Sequence, residues 1–128
     1  MEKLGENDNL MRFRCEALLK SAIISETDLE GNILFANDEF VNALGYSRKE
    51  IIGKNHRILN SKTHHPEFFK GIFKAATMGK IWKGTVEDFT KKGKRIWLDT
   101  SIVPILNKKG KPIRYLAVRF DVTKFMEK

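Results

Sequence analysis

The 128 residues predict an α+β domain: a five-stranded antiparallel sheet, with short helices and one longer helix on one face and an amphipathic helix in front. Three observations lead there. The C-terminal part reads as three β-like runs separated by the turns Lys92-Gly93 and Lys109-Gly110, which makes consecutive hairpins. Two shorter β-like runs come earlier, joined by the turn-forming Asp28-Leu29-Glu30-Gly31. Between these groups, apolar residues recur at helical spacing behind Pro66.

From Asn7 to Lys20 and just beyond, the apolar residues Leu10, Met11, Cys15, Leu18, Leu19 and Ala22 follow an i, i+4, i+7 pattern, that of an amphipathic helix. Strands are expected at Ala22 to Thr27 and Asn32 to Ala36. Asn37 ends the second run and is suited to cap a short helix, because its side-chain oxygen can accept the first unpaired N–H groups. That helix carries Phe40, Val41 and Leu44 on one face, and Gly45 fits a left-handed stop. Ser47 and Glu50 have capping-box spacing for a second short helix, and short helices run to about Leu59. Pro66 fits the first turn of a longer helix through Thr77, with Phe68, Phe69, Ile72, Phe73 and Ala76 as its buried stripe and Gly79 as its stop. Three strands remain, near Ile81 to Thr90, Lys94 to Ile105 and Pro112 to Val122.

A chain of this length makes one domain with a core large enough to fold without staples. Its net charge of +8 raises the question of nucleic acid. The basic residues are dispersed, however: Lys91, Lys92, Lys94 and Arg95 fall in one hairpin turn and Lys108, Lys109 and Lys111 in another, which reads as solvated hairpin tips. The single cysteine, Cys15, excludes an internal disulfide and fits a reducing compartment. No apolar run nears a membrane span and no signal-peptide pattern opens the chain, so a soluble, cytoplasmic domain is expected. His56, His64 and His65 are the only histidines, and no cysteine lies at metal-ligand spacing from them. No nucleophile, base or metal set has recognised spacing, so no enzyme is expected.

The stretch Gly31, Ile33, Asn37, Phe40, Gly45-Tyr46, Glu50 and Gly53 resembles the PAS family of sensory domains. The likeness continues through Trp82-x-Gly84, Lys92-Gly93, Pro104, Lys109-Gly110 and Phe120-Asp121-Val122-Thr123. Each motif alone is weak; their order and spacing together are specific. The resemblance implies a flanking helix at residues 1–20, a PAS domain at 21–123 and the start of a C-terminal signalling linker at 124–128. It further implies a homodimer and an output domain such as a histidine kinase, a diguanylate cyclase or a chemotaxis receptor, as in two-component signalling.

What the cavity of such a domain holds is a separate question. Gly53-Lys-Asn-His-Arg-Ile-Leu-Asn60 resembles the flavin photoreceptor branch, where a cysteine stands at the position of His56. The asparagines and the glutamine that contact flavin in that branch fall at Asp88, Leu98 and Arg119, so a light sensor is not expected. Asn55 and Arg57 do match the motif, with helix capping and a surface ion pair as their plainer reading. A second branch, resembling the flavin adenine dinucleotide (FAD) sensors of aerotaxis and nitrogen-fixation control, shares Trp82-Lys83-Gly84, while Asp88 and Phe89-Thr90 depart from it. Trp82 can equally close the core. His65-Pro66-Glu67-Phe68 resembles a haem-ligating segment, against which a solvated histidine at a helix start is the plainer reading.

Side chains alternate along a strand, so Tyr115, Ala117 and Arg119 share one face of the last strand, and Leu116, Val118 and Phe120 the other. The resemblance implies that Arg119 faces the cavity, and an inward guanidinium needs a partner: Asp88 or Glu87 on a neighbouring strand, or a bound anion. The outward apolar stripe needs a cover, supplied by the N-terminal helix or by a second subunit. The cavity candidates are therefore Asn55, Trp82, Asp88, Leu98 and Arg119. The reading favours a domain without cofactor or with a small ligand; a FAD redox sensor is the alternative, with a haem gas sensor behind it.

Overall fold

The computed structural model describes the backbone of residues 2–59 and 66–126. Helix α1 (Glu2–Ser21) leads into strands β1 (Ile23–Thr27) and β2 (Ile33–Ala36). Helices α2 (Asp38–Leu44) and α3 (Arg48–Ile51), a 3-10 turn (His56–Leu59) and α4 (Pro66–Thr77) follow. Strands β3 (Trp82–Phe89), β4 (Arg95–Leu106) and β5 (Pro112–Asp121) come next, and one turn of helix, α5 (Thr123–Met126), closes the described chain. All pairings are antiparallel, and the strand order is β2-β1-β5-β4-β3. The expected α+β architecture is thus observed. Helix α1 begins at Glu2 rather than Asn7: Glu2, Lys3 and Leu4 are good helix formers, and the polar run Asn7 to Asn9 is carried inside the helix instead of starting it.

The local start and stop signals act as read. Asn37 caps α2 by accepting from the Phe40 N–H at 3.0 Å, Gly45 ends α2 at φ 81°, and Ser47 with Glu50 forms a two-way capping box on α3. Asn37 also does more than cap. Its Oδ1 accepts from the Ile24 N–H at 3.0 Å, and its Nδ2 donates to the carbonyls of Leu19 and Ala22, both at 2.8 Å. One buried side chain therefore ties together the end of α1, strand β1 and the start of α2.

The core lies between the inward sheet face and the helices, built from Ile23, Ile33, Ala36, Phe40, Leu44, Ile51, Leu59, Ile96 and Leu98. Residues 7–21 of helix α1 take no part in it. Residues 7–21 are exposed throughout, Phe13 at 66 %, so α1 does not lie over the outward stripe of its own sheet. Of that stripe, Leu116 and Val118 are half-buried and Phe120 is 49 % exposed. In α4 the inward positions Ile72 and Ala76 are half-buried and buried, while the side chains of Phe68, Phe69 and Phe73 lie outside the described residues.

Candidate functional site

Register brings the site together. Across the sheet Ile23 pairs with Arg119, Arg119 with Thr100, and Thr100 with Gly84. These residues, with Ser25, Ala117, Val86 and Asp88 at even offsets along their strands, point toward the helices. Opposite them stand Ile72 and Ala76 of α4 and His56 of the 3-10 turn, and a cavity of about 360 Å³ remains between. Val86, Ile102, Ala117, Ile72 and Ala76 form its apolar wall; Arg119, Asp88, His56, Asn55 and Thr100 supply its polar groups. The exposed Glu30 and Arg57 sit at its mouth.

Arg119 is the largest fully buried side chain among the described residues, 1 % exposed. Its Nη2 donates to Ser25 Oγ at 3.0 Å and to His56 Nε2, and the guanidinium carbon stands 5.5 Å from the centre of the Phe40 ring, within cation–π range. Nη1 has no hydrogen-bond partner among the described residues; a buried donor left unmade costs about 1–3 kcal/mol. Burial pulls Arg119 down to about 10, against the nearby Asp88 charge, which raises it, so the group stays cationic at neutral pH. Because Arg119 donates to Nε2, His56 accepts there and carries its proton on Nδ1. Burial first and the Arg119 charge second push His56 down to about 3, which keeps the imidazole neutral.

Asp88 is 4 % exposed, and no hydrogen bond reaches its carboxylate among the described residues. Burial raises it to about 6, with Arg119 lowering it and Glu87 adding to the rise. The expectation that Asp88 and Arg119 sit on neighbouring strands is corrected: β4 runs between β3 and β5. At about 4.8 Å per strand spacing, the two main chains stand roughly 10 Å apart. Arg119 Nη2 is met instead by a neutral imidazole and a hydroxyl, and the two charges act on each other only through space.

Of the sequence candidates, the structure brings Asn55, Asp88 and Arg119 to the cavity and leaves Trp82 and Leu98 out of its lining. Leu98 is fully buried in the apolar core, one same-face step from Thr100, which lines the cavity instead. The Trp82 ring lies over its own strand: a Cβ at Gly84 would come within 2.7 Å of the indole, so the Trp-x-Gly spacing reflects local packing. Asn55 is engaged at the cavity rim. Its Nδ2 donates to the Glu30 carbonyl at 2.9 Å and its Oδ1 accepts from the Arg57 N–H at 3.1 Å, pinning the β1–β2 turn to the 3-10 turn. Ser25 was not singled out in the sequence; a hydroxyl alternating with Ile23 and Thr27 along an inward strand face was the available signal. The histidines of the haem-like segment, His64 and His65, lie outside the described residues. Among the described residues no three His, Cys, Asp or Glu side chains are grouped to hold a metal ion.

A family model described as PAS domain matches residues 20–124. The chain belongs to the PAS family. That family comprises sensory modules rather than enzymes. This PAS domain is 30 % identical over 103 residues to a nitrogen fixation regulatory protein of Klebsiella oxytoca, covering 80 % of the chain and 21 % of the relative. It is 31 % identical over 107 residues to the aerotaxis receptor of Escherichia coli, covering 80 % and 20 %. The chain thus spans about a fifth of the length of these relatives. Among solved structures, an RNA-binding light-oxygen-voltage receptor superposes with a TM-score of 0.80 at 23 % identity, covering 91 % of this chain and 34 % of the other, a likeness of fold.

The residues at the positions that resemblance assigns to flavin contacts do not offer the amides those contacts use. Leu98 is enclosed in the core, Asp88 is a carboxylate, and the Arg119 guanidinium reaches across the cavity to Ser25 and His56. This set of polar groups does not fit a flavin.

Proposed function

We propose that this PAS domain is the input unit of a larger signalling protein, that its cavity takes a small colourless molecule, and that it works as a homodimer. The observation that carries the proposal is the cavity of about 360 Å³ between an apolar wall and a polar one, with Nη1 of the buried Arg119 beside it left without a hydrogen-bond partner among the described residues. Helix α1, exposed from residue 7 to residue 21 with Leu10, Met11, Phe13 and Leu18, supports the dimer, together with the outward residues Leu116, Val118 and Phe120. A two-fold contact through α1 and this face would place the same stripe on both subunits. A ligand-driven change in the sheet would then reach α1 and α5 of both copies together. The output domain belongs outside residues 1–128, and the boundaries 1–20, 21–123 and 124–128 mark helix, sensor and linker.

An absorption spectrum of freshly purified protein, followed by sedimentation with and without residues 1–20, tests this reading. The expected results are no visible band, a dimer for the whole chain, and a folded monomer after deletion. A flavin or haem spectrum overturns the small-ligand reading. A monomer before any deletion overturns the dimer.

A further inference from the structure

We propose that the cavity binds a small zwitterionic amino acid with an apolar side chain, its carboxylate on Arg119 and its ammonium on Asp88. This rests on the sensory reading above and names the ligand class. Two opposite charges are buried in one cavity, and neither is satisfied by its neighbour. Arg119 has Nη1 without a partner, while its other terminal nitrogen is fixed by Ser25 and His56. Asp88 receives no hydrogen bond among the described residues. With β4 between their strands the two groups do not close on each other. A ligand whose own anion and cation are a few ångströms apart can meet both.

Charge balance selects among ligands. At neutral pH Arg119 is cationic, Asp88, raised to about 6 by burial, is mainly anionic and His56 is neutral, so these three sum to about zero with their charges separated. A zwitterion preserves that sum. A simple carboxylate would satisfy Arg119 but stand beside an uncompensated Asp88; a simple amine would do the reverse. Val86, Ile102, Ala117, Ile72 and Ala76 form an apolar wall for an aliphatic or aromatic side chain. The volume of about 360 Å³ lies at the small end of ligand cavities and fits a body of amino-acid size.

The test is calorimetric titration of the whole chain with three probes of one shape: L-leucine, 4-methylpentanoate and 3-methylbutylamine. L-leucine should bind at one site per chain, and each analogue at least about tenfold more weakly, since each leaves one buried charge unmet. The near-isosteric Asp88→Asn should weaken L-leucine by about tenfold or more and bring 4-methylpentanoate level with it, because the repelling carboxylate is gone. Arg119→Gln should abolish binding of both acids, with near-ultraviolet circular dichroism confirming that each variant folds. Equal binding of 4-methylpentanoate and L-leucine to the unaltered chain overturns the proposal, as does tight binding of the amine or no heat from L-leucine at millimolar concentration. A colourless dimer that ignores L-leucine sinks the zwitterion and leaves the sensory reading standing, whereas a coloured monomer sinks that reading.

Discussion

Two halves of one interior obey opposite rules. Toward α2 and α3, Phe40, Leu44, Ile51, Leu59 and Leu98 are all fully buried and pack into one apolar cluster. Toward α4, the same sheet face carries Arg119, Asp88 and Thr100 around an open volume, with Ser25 buried against Arg119. Leu98 and Thr100 are successive inward residues of β4, so the border between the halves is one side chain wide. The apolar half supplies stability by area and close packing. The polar half gives up part of that stability to hold buried charge beside a cavity.

Breaking the apolar half should have the largest effect. Leu44→Ala is expected to cost about 2–5 kcal/mol, the range for a large-to-small change at a fully buried leucine, measured as a shift of the urea midpoint. In the polar half the sign changes. Converting both charges to apolar groups of similar reach, Arg119→Met with Asp88→Leu, should leave stability unchanged or raise it by about 1–4 kcal/mol, because apolar replacement removes two desolvation costs. A double-mutant cycle should then give a coupling of about 0.5–1 kcal/mol, modest because the strands are not neighbours. A loss from the double change as large as that of Leu44→Ala would erase the contrast between the halves.

Acid sharpens it. An unfolded histidine protonates near 6.5, while His56 stays neutral in the folded chain down to about 3. Between those values the unfolded chain binds the extra proton, so stability is lost as pH falls through that window. Asp88 opposes this: held at about 6 against an ordinary 3.8, it binds its proton sooner in the folded chain, and stability rises as pH falls from about 6 to 4. Urea midpoints at pH 7 and pH 5 should therefore show a greater acid loss in Asp88→Asn than in the unaltered chain, and a smaller one in His56→Gln. Equal slopes in all three would mean that neither group is buried as described. The smallest effect is none at all: blue light on protein reconstituted with flavin should leave no lasting loss of absorbance, since His56 supplies an imidazole held by Arg119 where a thiol is needed.

The fold was legible because its signals are local. Asn37, Gly45, Ser47 with Glu50, and the two Lys-Gly turns each act within a few residues, while alternation put Arg119 on one face with Tyr115 and Ala117 and the family resemblance turned that face inward. The site was legible only in part because its contacts are long-range. Ser25 reaches Arg119 because β1 inserts beside β5, and His56 arrives from a 3-10 turn on the opposite wall. The hairpin order β3, β4, β5 already separates Asp88 from Arg119, so direct pairing required a reach across a whole strand. Trp82 was singled out for its motif, yet Gly84 shows that motif to be a packing device.

The hold of Asn37 on the carbonyls of Leu19 and Ala22 makes α1 a shaft keyed to the sheet. Each residue of an α-helix turns about 100° and advances about 1.5 Å. A module grafted onto the front of α1 would face a direction set by residue count, as teeth on a gear are set by their number. One residue inserted at the exposed middle of α1 would swing that module by about a quarter turn, whereas seven would nearly restore it. Responses of such fusions should therefore rise and fall with a period near 3.6 residues, and Asn37→Ala should flatten the oscillation by letting the shaft slip.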